Sequence, residues 1–333
     1  MSVYSNKTVL VTGATGLIGG RIVDVFMKKG DVRVVALSRC DKKLRKGFLE
    51  YLENPNFEII AQNISEPLTI EKPIHYIFHA AGPMEGKIIK NYPMDVINPN
   101  LVGTIKCLEF LKNQEKKSGI KGRMILFSSV TVYGNNTDQD ITVGECDTRV
   151  TETLDAISAP YSQSKRMSEV ITLAYIRQYG IDAVISRFST VYGSTRFIPD
   201  TAFFEFIKKG IAGEDIIMNM SGLPRRDNIY VDDAVEGVLL VGSDGAVGEA
   251  YNISSNGDLD NYASVDEIAK VVADVANNKY EGNSVKVLFK TENTEEKKPG
   301  LKLSNEKLKK LGWNTTISLS AGIKKTMEDV AYR

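Results

Sequence analysis

The sequence predicts an α/β fold: a doubly wound parallel sheet with a smaller C-terminal α/β lobe. Three observations carry this. The stretch Lys7–Gly20, KTVLVTGATGLIGG, reads as a strand, a glycine-rich turn and the start of a helix. Short apolar runs then alternate with helical patterns through the first half, as parallel strands covered on both faces require. Beyond Phe188 the alternation becomes irregular, which suits a smaller lobe over the C-terminal edge of the sheet, where open α/β sheets bind ligands.

Taken in order, Thr8–Thr12 is a β-rich apolar run, and glycines follow at 13, 16 and 19 before IVDVFMKK. Val32–Leu37 is the second strand, and Asp41–Glu53 a polar helix stopped by Asn54-Pro55. Phe57–Gln62 and Ile74–Ala80 are strands three and four. Pro99 precedes a helix over Leu101–Lys112 with apolar spacing at 101, 105, 108 and 111, and Met124–Ser128 is the fifth strand. A long helix, Tyr161–Tyr179, ends at Gly180 and leads to the strand Asp182–Phe188. Pro199–Lys209 is a helix candidate, Met218–Tyr230 reads as a loop, Val231–Val241 as a helix and Ala250–Ile253 as a strand. Ser264–Asn277 is a helix with Ser264 as N-cap and Glu267 at N3. Val285–Phe289 is a strand, Lys290–Lys298 a charged solvated loop, and helices around Glu306–Leu311 and Ser320–Tyr332 close the chain. Residues 1–188 are expected to form the first part, with later segments such as 231–253 returning to it, and residues 189–333 mainly a second lobe.

Composition narrows the functional classes. The 333 residues include 42 Lys plus Arg and 42 Asp plus Glu, so no net charge favours nucleic acid or an anionic membrane. Cys40, Cys107 and Cys146 have no metal-ligand spacing and suit a reducing compartment. No signal core or membrane-length apolar run occurs, so a cytoplasmic protein is expected. His75 and His79 alternate on a strand without a metal partner; they read as structure or cofactor lining. Cys107 and Trp313 read as packing, and Cys146 lies in a loop-like stretch.

A helix start preceded by glycines presents free N–H groups and the positive end of a dipole to a phosphate. Isolated, such glycines make only a tight turn; after a strand, with a βαβ continuation, they point to a dinucleotide. Tyr161-x-x-x-Lys165 lies on one helix face, and Ser128-Ser129 ends a strand. A phenol ionises near pH ~10 and is a poor base until an ammonium beside it lowers that value. Tyr161 then exchanges a proton with a substrate hydroxyl beside a nicotinamide, Ser129 holds the same oxygen, and Lys165 reaches the nicotinamide ribose. Tyr-x-x-x-Lys alone is also a common helix-surface pair; the ordered combination is far more specific.

These residues resemble the extended short-chain dehydrogenase/reductases, in particular the nucleotide-sugar epimerases, dehydratases and decarboxylases. The matching stretches are TGATGLIG, FHAAGP, INPNLVGTIKCLE, SSVTVYG, YSQSK, SRFSTVYG, RRDNIYVDD, GEAYNIS and KLKKLGW, spread over the whole chain. The resemblance implies a Rossmann-type fold and a nucleoside-diphosphate sugar substrate. It implies catalytic roles for Ser129, Tyr161 and Lys165. It places the cofactor against Gly13, Thr15, Gly16, Leu17, Ile18, Gly19, Asn63, Ile64, Ala80, Ala81, Gly82 and Val191, with Tyr161 and Lys165. It places the substrate against Ser129, Thr131, Thr190 and Arg226, the last reaching the diphosphate. In relatives, the helices that correspond to Leu101–Lys112 and Tyr161–Tyr179 form a dimer bundle, so a homodimer is expected, without metal.

Departures narrow the function. Dehydratases of the group carry Asp-Glu after the catalytic Ser or Thr, and decarboxylases usually carry Glu at the place of Thr131. Here the residues are Val130 and Thr131, which resemble 4-epimerases. An NADPH-dependent keto-sugar reductase is the alternative enzyme, a decarboxylase or 4,6-dehydratase the third, since HAAGP and the following helix resemble the decarboxylase branch, and a dinucleotide sensor is the non-enzymatic reading. The second strand ends Leu37-Ser38-Arg39 with no carboxylate for an adenosine ribose, and Arg39 suits a 2′-phosphate or stacks on adenine. NAD and NADP both stay open, with Arg39 tilting to NADP. The family's Asn before the second turn is Thr190 here, and Lys297, Lys298 and Ser304 lie where a substrate-holding Arg and Asp are usual.

Overall fold

A computed structural model describes residues 2–134, 140–149, 152–220, 224–291 and 300–332. The chain runs β1 (Thr8–Thr12), α1 (Leu17–Lys29), β2 (Arg33–Ser38), α2 (Asp41–Gly47), β3 (Phe57–Ala61), β4 (Tyr76–His79), α3 (Gly86–Asn91), α4 (Met94–Ser118) and β5 (Arg123–Ser129). It continues with β6 (Ile141–Val143), α5 (Ala159–Tyr179), β7 (Asp182–Phe188), β8 (Thr190–Tyr192), α6 (Ala202–Ala212), β9 (Ile216–Met220), β10 (Arg226–Tyr230) and α7 (Val231–Asp244). It ends with β11 (Ala250–Ile253), β12 (Tyr262–Ala263), α8 (Val265–Lys279), β13 (Val287–Thr291), β14 (Leu301–Leu303), α9 (Glu306–Lys309) and α10 (Leu319–Ala331).

Seven strands form one parallel sheet in the order β11-β7-β5-β4-β1-β2-β3. All five residues of β1 are buried. Alternation sends Val9 and Val11 into one core with Ile22 and Phe26 of α1 and Val238 of α7. Leu10 enters a second core with Cys107, Leu108 and Leu111 of α4. Helices therefore cover both faces, and this is why the strands read as continuous apolar runs. Glycines in the left-handed conformation close α1 at Gly30, α4 at Gly119 and α5 at Gly180.

A second sheet joins β12-β10-β14-β6, with β8 also on β10, and β9 pairs with β13. The helices α6, α8 and α10 pack together beside them. Ser264 and Glu267 form the expected capping box at the start of α8. Trp313 is buried and donates to the Asp233 carbonyl at 3.1 Å.

Three expectations change. The Met218–Tyr230 stretch is not a loop: it holds part of β9 and all of β10. Their partners, β13 and β8, β12 and β14, lie far away in sequence, so local pattern carries no trace of the pairing. Polar Asp227 is buried there because Ser255 and the Leu303 N–H satisfy its carboxylate. The helix expected over Asp41–Glu53 stops at Gly47, followed by a 3-10 turn at Leu49–Tyr51. Arg196 takes the Gly47 carbonyl, and the Phe197 ring fills the space where a Cβ would sit, 2.9 Å away. Conversely α4 starts at Met94 and runs through Pro99. Most of the charged run before Gly300, including Lys297 and Lys298, lies outside the described residues.

Candidate active site

The glycine turn is shaped so that no Cβ fits at Gly13 or Gly19. Gly13 has φ +64°, and a Cβ there would meet the Ala80 carbonyl oxygen at 2.7 Å. At Gly19 a Cβ would lie 2.5 Å from the Gly13 oxygen. The backbone of Gly13 thus touches both the first turn of α1 and the Ala80-Ala81 segment. α1 has Gly16 as its N-cap, with no side-chain cap and no acidic residue in its first turn. Its leading N–H groups, through Leu17, Ile18 and Gly19, are left for an anion. Thr15 Oγ1 lies 3.0 Å from Ser38 Oγ, joining the turn to the end of β2. These features fit a dinucleotide pyrophosphate.

Of the residues expected to line a cofactor, Ala80 and Ala81 lie against that turn. The Ala81 N–H donates to Thr12 Oγ1 at 3.2 Å, and this hydroxyl lies 2.9 Å from His79 Nδ1. Burial pushes the His79 imidazolium down to about 3, so the ring is neutral. Ile64 is buried against Gly103 and Asn63 is exposed, its Oδ1 accepting from the Ser65 N–H at 3.1 Å. Arg39 is exposed just past β2. Gly82 is flanked by Asn100 and Lys165: a Cβ would sit 2.4 Å from Asn100 Oδ1 and 3.5 Å from Lys165 Nζ.

Ser129, Tyr161 and Lys165 are brought together and buried, at 4%, 6% and 6% exposure. Ser129 ends β5, accepts the Thr131 N–H at 3.3 Å and hydrogen-bonds the Tyr161 hydroxyl. Lys165 Nζ donates to the Phe127 carbonyl at 2.8 Å and lies 5.9 Å from the Tyr161 ring centre. The acidic phenol expected from the sequence is not what this geometry produces. Burial pushes Tyr161 up to about 12, with only the Ser129 bond opposing it. Burial also brings Lys165 down to about 8, and the carboxylate of Glu169 pulls it back up. The lysine is turned toward a main-chain carbonyl rather than the phenol oxygen.

Among the residues expected at the substrate, Thr131 Oγ1 is buried and has no hydrogen-bond partner among the described residues. Thr190 and Val191 are half-buried in β8, paired with Asn228 and Ile229 of β10. Arg226 is exposed at the start of β10. Its neighbour Arg225 is held by both oxygens of Glu267, at 2.8 and 3.0 Å, and stacks on Tyr262. Ser304 is engaged through its main chain, with Val143 and Asn252. Cys107 is buried and Cys146 exposed. The described residues hold no group of three or more potential metal ligands, and none of their helices is long and apolar enough to cross a membrane.

Two residues at the site escaped the sequence reading. Asn100 is buried on α4; its Nδ2 donates to Ser164 Oγ at 2.9 Å while Oδ1 has no partner among the described residues. Its signal was an amide directly after Pro99 on a helix otherwise read for apolar spacing. Glu169 is the other, four residues beyond Lys165 on the same face of α5.

The profile described as the NAD dependent epimerase/dehydratase family matches residues 9–254. UDP-glucuronic acid decarboxylase 6 of Arabidopsis thaliana is 27% identical over 334 residues, covering 99% of this chain and 90% of that protein. The crystal structure of UDP-glucuronic acid 4-epimerase from Bacillus cereus, in complex with UDP-glucuronic acid and NAD, superposes with a TM-score of 0.77 at 25% identity, covering 98% and 99% of the two chains. UDP-glucose 4-epimerase from Thermotoga maritima has the same fold, with a TM-score of 0.77 at 24% identity and 98% and 99% coverage.

Proposed function

The chain belongs to the NAD-dependent epimerase/dehydratase family, and we propose that within it the protein is a C4 epimerase of a nucleoside-diphosphate sugar. One observation carries the choice. The turn after Ser129 offers Val130 and the unpartnered hydroxyl of Thr131, and no carboxylate. Elimination of water, or proton management around a departing carboxylate, asks for an acid or base there; epimerisation does not.

We take NAD as the cofactor, following the family description and the NAD-bound 4-epimerase, against the tilt of Arg39 toward a 2′-phosphate. Gly13, Thr15, Gly16, Leu17, Ile18 and Gly19 would hold its pyrophosphate, Arg39, Asn63 and Ile64 its adenosine, and Ala80, Ala81, Gly82, Val191 and Lys165 its nicotinamide half. Bound NAD supplies a two-electron acceptor and donor at the sugar carbon. Tyr161 takes the proton of the C4 hydroxyl and later returns it, and Ser129 holds that oxygen in line. In this geometry Lys165 bonds the Phe127 carbonyl, and the Ser129 bond alone favours the phenolate against burial; the ammonium would add to it by turning Nζ toward the phenol oxygen. Arg226, not tied down like Arg225, reaches the substrate diphosphate, with Thr131 and Thr190 nearer the sugar.

We further propose the division at 188/189 between the dinucleotide and substrate parts, and a homodimer through α4 and α5. Met167, Val170 and Leu173 form an exposed apolar stripe on α5 that suits the latter.

The decarboxylases among the relatives give the competing reading. The test is incubation with UDP-glucuronic acid and with UDP-glucose, with NAD or NADP, and product identification by proton NMR. A C4 epimer formed without net cofactor reduction is expected. Release of carbon dioxide and a pentose product would replace epimerase by decarboxylase. Steady consumption of NADPH by a keto-sugar would replace it by reductase. Tyr161→Phe is expected to abolish turnover and keep NAD binding.

A further inference from the structure

One face of α5 is read against the end of β5 at three successive levels. Tyr161 meets Ser129, Lys165 meets the Phe127 carbonyl, and Glu169 accepts from Ser128 Oγ at 2.5 Å. The spacing of four along the helix keeps the three side chains in one row. Ser128 is the sheet-register partner of Arg187 on β7, and both converge on Glu169. Arg187 grips it with two bonds, Nε to Oε1 at 3.0 Å and Nη2 to Oε2 at 2.7 Å. Arg187 is itself held by the Tyr133 hydroxyl at 2.8 Å and the Glu145 carbonyl at 2.9 Å. The Tyr133 hydroxyl in turn donates to Asn252 Oδ1 at 2.8 Å. The Glu169 and Arg187 side chains are 9% and 14% exposed, so this pair is a buried construction.

Buried ion pairs are weak sources of stability compared with apolar packing. This one is placed one helical turn from the proposed catalytic lysine. We propose that Glu169, aimed by Arg187, is a positioning residue that keeps the Lys165 ammonium charged within the closed site. The inference rests on the role given to Lys165 above.

The surroundings support it. The groups facing Lys165 are Tyr161 and Glu169 on α5, the neutral His79 on β4, the Phe127 carbonyl on β5, and Asn100 beside Gly82. Glu169 is the anion among them. Arg187 fixes where that anion sits, because a bidentate fork allows a carboxylate one orientation. Without Glu169, burial alone acts on Lys165, and the ammonium is lost at lower pH. With the fork of Arg187 lost, Glu169 is no longer aimed, and part of its support for the ammonium goes with it. A merely structural pair leaves the charge on Lys165 unmoved.

The test uses the full chain loaded with NAD and labelled with 13C at lysine Cε, whose shift reports the charge on Nζ. The Lys165 resonance is assigned by its loss in Lys165→Arg. Glu169→Gln is expected to lower the Lys165 midpoint by about one pH unit, and Arg187→Lys, which keeps the charge and loses the fork, to lower it by less. A midpoint that stays put or rises in either variant overturns the proposal. Should either single variant not fold, Glu169→Gln/Arg187→Gln removes both charges from the buried pair. Its midpoint is expected to fall, since Glu169 is the anion whose charge acts on Lys165, and an unchanged or raised midpoint overturns the proposal. Turnover of Tyr161→Phe separates the two levels. Retained turnover there removes the underlying reading, whatever the Lys165 midpoint does.

Discussion

Replacing Gly19 by Ala isolates the contribution of the glycine turn. On helix propensity alone the change would favour α1 by about 1 kcal/mol, because glycine is the poorer helix former. The structure reverses that sign for the site. The new Cβ would lie 2.5 Å from the Gly13 oxygen, 3.0 Å from its carbonyl carbon and 3.2 Å from Ala14 Cα. All three atoms are backbone, so no side chain can swing away. The turn or the first turn of α1 must shift, and both present the N–H groups offered to the pyrophosphate. Overpacking of this kind costs about 2 kcal/mol, which as lost affinity is about thirtyfold. Gly30→Ala is the matched control. Gly30 has φ +77° and nothing within 4 Å of its missing Cβ. It should lose about 1 kcal/mol of stability from backbone strain and bind NAD like the parent. Isothermal titration with NAD, alongside thermal unfolding, separates the two outcomes. Unchanged NAD affinity in Gly19→Ala would refute the assignment of this turn to the dinucleotide.

Further expectations concern stability and its pH dependence. His79 has a folded value near 3 against an ordinary 6.5, so the unfolded chain binds the extra proton between them. Its contribution to stability is therefore full above 6.5 and lost as pH falls toward 3; urea midpoints across that window should decline less steeply in His79→Gln. Ser264→Ala removes the capping box of α8 and should cost about 1 kcal/mol by thermal or urea unfolding. Arg196 bonds Asp24, Glu50 and the Gly47 carbonyl and stacks on Phe48 and Tyr51, joining the segment after β8 to α1 and α2. Arg196→Ala should lower the unfolding free energy measured in urea by about 2 to 3 kcal/mol, and Arg196→Lys should recover little of it, since an ammonium lacks the planar fork.

Much of this protein was readable one residue at a time. The glycine turn, the run of strands through Phe188 and the helix from Tyr161 depend on short-range rules: backbone freedom at glycine, apolar periodicity and side chains four apart on one helix face. The same spacing extended once more would have reached Glu169, but a lone acid on a helix carries no local sign of being buried. Only the folded sheet put Arg187 in register with Ser128 and turned both toward it. β9 and β10 were likewise invisible, because their hydrogen-bond partners arrive from distant segments. The ionisation of Tyr161 shows the same boundary. Sequence supplied the phenol and the ammonium; burial and the turn of Lys165 toward Phe127 decided which way the phenol shifts. Local geometry is written in neighbouring residues, whereas desolvation and charge pairing depend on what the rest of the chain brings near.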